Sequence, residues 1–216
     1  ARYDYIGLRH LFSQGCIFDQ KLLYDDLPND YLPYDFDTYF KNPATFEMVT
    51  TNCLTGEAMY LVDKQDKQRT LDIVKASSSL PYVSKIVTVD GIPMLDGGIV
   101  DSIPVLRSIE MGHPTNVVVL TRNRGYRNTS KDYKIPRFIY KNYPRLRVAL
   151  SRRIAVYNAQ LDLIEHLENE GKIVCIRPVH PLEVDRIERD VTKLEDLYEE
   201  GFEQGELFCQ QHWDKR

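Results

Sequence analysis

A carboxylate set directly before two glycines, Asp96-Gly97-Gly98, is the place in this chain where residue type and spacing best suit chemistry. An ionised carboxylate within hydrogen-bond reach of a hydroxyl can take its proton. Glycines on its C-terminal side let the backbone pass close to a substrate and adopt unusual dihedrals. Asp-Gly is also ordinary turn chemistry, so the motif alone does not separate a base from a turn.

The remaining candidates are weaker. No Gly-x-Ser-x-Gly, no Gly-rich phosphate loop and no metal-ligand cluster occurs in the sequence. If Asp96 is a base, the group it activates is not in residues 1–216. Ser77, Ser78 and Ser79 stand where a helix ends, without the glycines of a sharp elbow, and read as helix-ending and loop-packing residues. Asp101 reads as a helix cap rather than a second base. His10, His113, His166, His180 and His212 fall in a helix, in turns or at exposed helical positions, and His113 follows Gly112 at a helix end, where capping accounts for it. Cys16, Cys53, Cys175 and Cys209 are widely spread, with no Cys-x-x-Cys. They read as small core residues of a chain in a reducing compartment, and neither zinc nor any other cofactor is expected.

The 216 residues, 43% hydrophobic and 28% charged, suit one globular domain with a sizeable core. The longest apolar runs, such as Val117-Val118-Val119-Leu120, are far too short to cross a bilayer. Arg2, Asp4 and Arg9 break up the first ten residues, so no signal peptide is expected, and a cytoplasmic protein is the expectation. The net charge of −4 conceals an asymmetry. Residues 122–153 hold eleven Lys or Arg against one acid, Asp132, with Tyr126, Tyr133, Phe138, Tyr140 and Tyr143 interleaved. That mixture suits a peripheral contact with anionic lipid. It also suits single-stranded nucleic acid, the less favoured partner, or a solvated face that neutralises acidic neighbours.

Asp96 must be held by the elements around it. Residues 84–89 alternate like a strand, Asp90-Gly91 makes a tight turn, and residues 93–95 return as a short strand that ends at Asp96. Downstream, Asp101 or Ser102 can cap a helix with Pro104 in its first turn, stopping before Gly112. Asp96 is thus expected where a strand feeds a helix. Upstream, residues 47–51 and 57–62 read as a hairpin around Thr55-Gly56, and residues 69–76 as a helix stopped by Pro81. The first 45 residues read as irregular and helical, with a loop at residues 25–30. Residues 117–121 form an apolar strand, as when both faces of a sheet are covered. Residues 122–134 read as a polar loop, 145–167 as a long helix closed by Gly171, and 172–177 as a strand. Thr192 and Glu195 make a capping box for a last helix to about residue 211. Strand and helix alternate from residue 69 onward, which predicts an α/β fold with a mostly parallel sheet and helices on both faces.

Lys75-Ala76-Ser77-Ser78-Ser79-Leu80-Pro81, Asp90-Gly91, Leu95-Asp96-Gly97-Gly98 and Ser102-Ile103-Pro104 together resemble the patatin-like phospholipases. The bacterial branch is the nearest likeness, through Asp101-Ser102-Ile103-Pro104-Val105, Val118-Val119-Leu120-Thr121-Arg122, Tyr5-Ile6-Gly7-Leu8-Arg9-His10 and residues 50–56. The resemblance implies a three-layer α/β/α sandwich with a mostly parallel central sheet. It also implies a serine acyl hydrolase of phospholipase A or lipid acyl hydrolase type, acting in lipid degradation through a Ser–Asp dyad. Asp96 matches the dyad aspartate, and Gly97 and Gly98 match the glycines beside it. Ser102 stands where many members carry Asn. The Gly-rich oxyanion loop and the nucleophile segment of the family would lie before Ala1. Residues 1–216 are therefore expected to be the C-terminal portion of a catalytic domain, inactive alone, with a phospholipid or other acyl-ester lipid as substrate. A non-catalytic lipid- or partner-binding domain on the same fold is the alternative.

Overall fold

The computed structural model describes residues 6–130, 135–136, 138–184 and 188–212. They divide into two compact units, residues 1–103 with 131–156, and residues 104–130 with 157–216. Arg2, Asp4, Tyr5, Asp132 and Tyr133, named above, lie outside the described residues.

The first unit is built on four strands, β1 (Met48–Asn52), β2 (Ala58–Leu61), β3 (Val87–Val89) and β4 (Ile92–Asp96), in the order β2-β1-β4-β3. Every pairing among them is antiparallel. This departs from the mostly parallel sheet expected, and for the two outer pairs, β1–β2 and β3–β4, the cause is local. β1 and β2 are joined by a turn in which Gly56 has φ +71°, and β3 and β4 by Asp90 (φ +51°) and Gly91 (φ +77°). Loops that short return the chain antiparallel, whereas a parallel neighbour needs a crossover of a dozen or more residues.

Helix α1 (Leu8–Gln14), a π-helical segment (Leu22–Tyr31) and α2 (Phe36–Lys41) precede the sheet. The loop expected at residues 25–30 is instead inside the π-helical segment. Its wide turn accommodates Pro28, whose ring clashes with the carbonyl four residues back in an α-helix. Helix α3 (Lys67–Ser77) starts at Asp66, whose carboxylate accepts the Arg69 N–H at 3.0 Å.

β4 is buried on both faces. Met94 belongs to a cluster with Met48, Ile73, Ala76 and Val89. Its neighbour Leu95 points the other way, to Cys53, Ile99 and Leu146. Burial of both residues fixes the register that puts Asp96 at the strand end.

The second unit holds α4 (Val105–Glu110), a parallel pair made by β5 (Asn116–Val119) and β6 (Ile173–Ile176), and α6 (Val191–His212). Helix α5 (Pro144–Asn169) carries residues of both units. β5 is not covered on both faces as expected: Val118 is buried, but Val119 is 71% exposed. The caps anticipated for α4 and α6 are not the ones used. The residue before α4 is Pro104, with no side-chain cap, and Thr192 donates its backbone N–H to the Asp190 carboxylate at 3.0 Å. Among the described residues no helix is long and apolar enough to cross a membrane.

Candidate active site

The turn after β4 is shaped by its two glycines, each for a different reason. A Cβ on Gly97 would lie 2.4 Å from the Val49 carbonyl oxygen, so only glycine lets the chain turn this close to β1. Gly97–Ile99 then form one 3-10 turn, with Asp96 as its N-cap. The Gly98 N–H donates to Asp96 Oδ1 at 2.6 Å, and a Cβ on Gly98 would come within 2.9 Å of that same oxygen. Gly97 permits the turn, and Gly98 permits the carboxylate to be held by it.

The surrounding elements anchor this backbone. The Asp96 N–H donates to the Ser79 carbonyl at 2.9 Å, just past the end of α3. The buried Thr51 of β1 donates its hydroxyl to the Asp96 carbonyl at 2.8 Å. Ser102 Oγ and Arg153 Nε both donate to the Gly98 carbonyl, at 2.9 and 3.0 Å. The side chain is less committed: Oδ2 has no hydrogen-bond partner among the described residues. Burial pushes the Asp96 carboxyl above the usual 3.8, while the Gly98 N–H and the Arg153 charge pull it part of the way back. A half-buried carboxylate with a raised pKa and one unbonded oxygen is a better proton acceptor than a solvated aspartate.

Tyrosines lie around the same turn. The Tyr24 hydroxyl shares a 2.5 Å hydrogen bond with Ser78 Oγ. Its pKa is raised chiefly by burial, and the Asp96 charge adds to the rise. Tyr82 and Tyr140 both take left-handed conformations, with φ of +72° and +51°. They hold each other there: the Tyr82 N–H donates to Tyr140 Oη at 2.8 Å, and their rings are 5.8 Å apart. Such conformations cost of order 1 kcal/mol in a non-glycine residue and cluster at functional sites.

Asp96, Gly97 and Gly98 thus form one local unit, while the other candidates go elsewhere. Ser77, Ser78 and Ser79 each donate to a backbone carbonyl, of Val49, Val74 and Lys75, at 2.7 Å. Asp101 is not a cap; its Oδ2 accepts the Tyr60 hydroxyl at 2.7 Å. His10 is buried in α1, with Nδ1 3.8 Å from Asp19. Cys16 and Cys53 are buried, and burial pushes the Cys53 thiol up to about 12, while Cys209 is exposed. Sequence reasoning did not place Thr51, Tyr24 or Tyr82 at the site, and it read Tyr140 and Arg153 only as part of the basic, aromatic stretch. Each reaches the turn from a distant element, and none carries a local pattern that announces it.

Much of the basic stretch is spent within the fold. In the second unit Arg127 pairs with Asp162 and Glu165, at 2.5 and 3.0 Å, and holds the Glu165 carboxyl down to about 2. Arg124 pairs with Glu168 at 3.2 Å, and Arg122 lies over the Tyr126 ring. In the first unit Arg147 donates to the Ile135 carbonyl at 2.9 Å.

Together these residues define a mixed α/β protein carrying a carboxylate on an Asp-Gly-Gly turn at a strand end. The family model for patatin-like phospholipase matches residues 1–108, half of the chain, and the chain belongs to that family. A second model, described as a domain of unknown function (DUF6363), matches residues 143–214. The chain is also similar to the "Uncharacterized protein YjjU" of Escherichia coli (strain K12), with 45% identity over 56 residues. That similarity covers 26% of this chain and 16% of the relative's length.

Proposed function

We propose that Asp96 is the general base of a Ser–Asp dyad in a serine acyl hydrolase that cleaves the carboxylic ester of a phospholipid or related acyl lipid. The observation that carries this is the state of its carboxylate: Oδ1 held by the Gly98 N–H, Oδ2 unbonded among the described residues, and the pKa raised by burial. Oδ2 takes the serine proton as the serine oxygen attacks the ester carbonyl carbon. The alcohol departs with that proton, leaving an acyl-serine. Asp96 then deprotonates a water that attacks the acyl carbonyl, and the fatty acid leaves as the serine recovers its proton. The serine belongs to sequence outside residues 1–216, where no Gly-x-Ser-x-Gly occurs. Membership of the family and the two-sided burial of β4 support a three-layer α/β/α arrangement for the whole catalytic domain. Lys141, Arg145 and Arg152, exposed and without a side-chain partner among the described residues, support a peripheral lipid contact.

A fluorophosphonate probe on the full-length protein tests this, with the labelled peptide identified by mass spectrometry. Labelling at one serine, lost in Asp96→Asn with the fold intact, is the expected result. Equal labelling of Asp96→Asn removes Asp96 from the mechanism. A folded wild-type protein that takes no label is a binding domain rather than a hydrolase.

A further inference from the structure

A groove of about 350 Å³ opens beside Ile99 and Val100, the residues that follow the Asp96-Gly97-Gly98 turn, wholly within the first unit. Its other side is α5. Arg145, Val148, Arg152 and Val156 recur there at spacings of three, four and four, which puts them on one helix face. Val148 is 50% exposed between the two arginines, although it is apolar. Arg145 and Arg152 are exposed too, and neither has a hydrogen bond or ion pair with any described residue. Their neighbours differ: Arg147 and Arg153 are both tied to backbone carbonyls. The groove therefore combines an apolar strip with two uncommitted guanidinium groups.

We propose that this groove seats the headgroup of an anionic phospholipid, which rests on the hydrolase reading of Asp96. Guanidinium groups bind phosphate through charge-assisted, often bidentate hydrogen bonds. Arg145 and Arg152 lie two helical turns apart, about 10.5 Å along the axis, so their flexible arms can meet a phosphodiester placed over Val148. The glycerol and the first acyl methylenes then cover Val148, Val156 and Val100, apolar surface that a free phosphate would leave wet. Ile99 is three residues from Asp96, which limits their Cα separation to about 11 Å, so a lipid held here has its ester near the base. A zwitterionic headgroup fits worse, because its ammonium group meets the same two cations. Among the described residues no aromatic side chain lines the groove, which disfavours stacked bases as the occupant.

The test uses the full-length protein and short-chain lipids kept as monomers, so that membrane surface charge plays no part. Dihexanoylphosphatidylglycerol is compared with dihexanoylphosphatidylcholine by kcat/KM, in wild type and in Arg145→Gln/Arg152→Gln. Wild type is expected to prefer the anionic lipid by about tenfold or more, mainly through KM, as loss of charge-assisted bonds implies. The double variant should bring the ratio near one, and Arg145→Lys/Arg152→Lys should keep part of it. The ratio is unaffected by a uniform loss of active protein, and circular dichroism checks the fold. A wild-type ratio near one, or a ratio unchanged in the double variant, overturns the proposal. If the folded protein hydrolyses no ester, the hydrolase reading fails by itself. Calorimetric titration with the same two lipids then decides the groove: binding of the anionic lipid that the double variant loses supports it, and no binding, or binding the variant keeps, overturns it.

Discussion

The two glycines after Asp96 should fail in opposite ways when each is replaced by alanine. At Gly97 the new Cβ meets backbone: 2.4 Å to the Val49 carbonyl oxygen and 2.6 Å to its carbon, where ordinary contact begins at 3.4 Å. The turn must move about 1 Å away from β1, stretching the Thr51–Asp96 and Asp96–Ser79 bonds. Overpacking of this kind costs about 3 kcal/mol at the upper end of its usual range. For a chain of this length that lowers Tm by about 6–12 °C. At Gly98 the new Cβ meets mainly side-chain ends, Asp96 Oδ1 at 2.9 Å and Ser102 Oγ at 3.5 Å, and no left-handed φ is required. The carboxylate can swing aside, so the stability loss stays below about 1 kcal/mol. A base displaced by an ångström, however, costs about 100-fold in kcat. Thermal melting and hydrolysis of p-nitrophenyl butyrate by the full-length protein measure the two effects side by side. If Gly98→Ala keeps half of the wild-type kcat, or Gly97→Ala melts within about 2 °C of wild type, the division of labour between them is wrong.

Other predictions bear on charge. Asp96→Asn should abolish ester hydrolysis yet melt higher than wild type at pH 7. Because the folded-state pKa of Asp96 is raised, its stabilising contribution is present below 3.8 and is lost as pH rises through the folded value. The gap between the two proteins should therefore close on acidification in a Tm series. Arg153→Gln removes a charge that lowers the Asp96 pKa, so the acidic limb of the pH–rate profile should move to higher pH. A profile that stays in place would show that Arg153 acts only through the Gly98 carbonyl. Arg127→Ala should cost about 1 kcal/mol in low salt. Glu165, held down to about 2 from 4.5, contributes stability above pH 4.5 that is lost as pH falls toward 2, so variant and wild type should converge there in urea titrations. Tyr60→Phe, which removes the 2.7 Å hydrogen bond to Asp101 Oδ2, should lower stability by about 1 kcal/mol by the same measurement.

Local rules carried much of this structure in the sequence. Asp90-Gly91 announced a hairpin, and Asp90 and Gly91 both take positive φ there. Helical periodicity and Gly171 placed α5 and its end, and the strand leading to Asp96 ends at Asp96 itself. The Asp-Gly-Gly turn was visible too, because the close approach to β1 and to the carboxylate that it needs belongs to glycine alone. Strand direction was not visible. It was inferred from helix and strand alternation, whereas β1 pairs with β4 across forty residues and each hairpin fixes its neighbour antiparallel. The fate of individual charges was equally hidden. Arg124, Arg127, Arg145 and Arg152 look alike in the chain, yet two are bound to acids of α5 and two face an open groove. Asp96 became a distinctive carboxylate only through Thr51, Ser79 and Arg153, which converge on its turn from β1, the end of α3 and α5. Turn chemistry and periodicity act over a few residues and so are written in sequence. Burial, pairing and the raised pKa of one aspartate depend on distant groups, and only the tertiary structure brings those groups together.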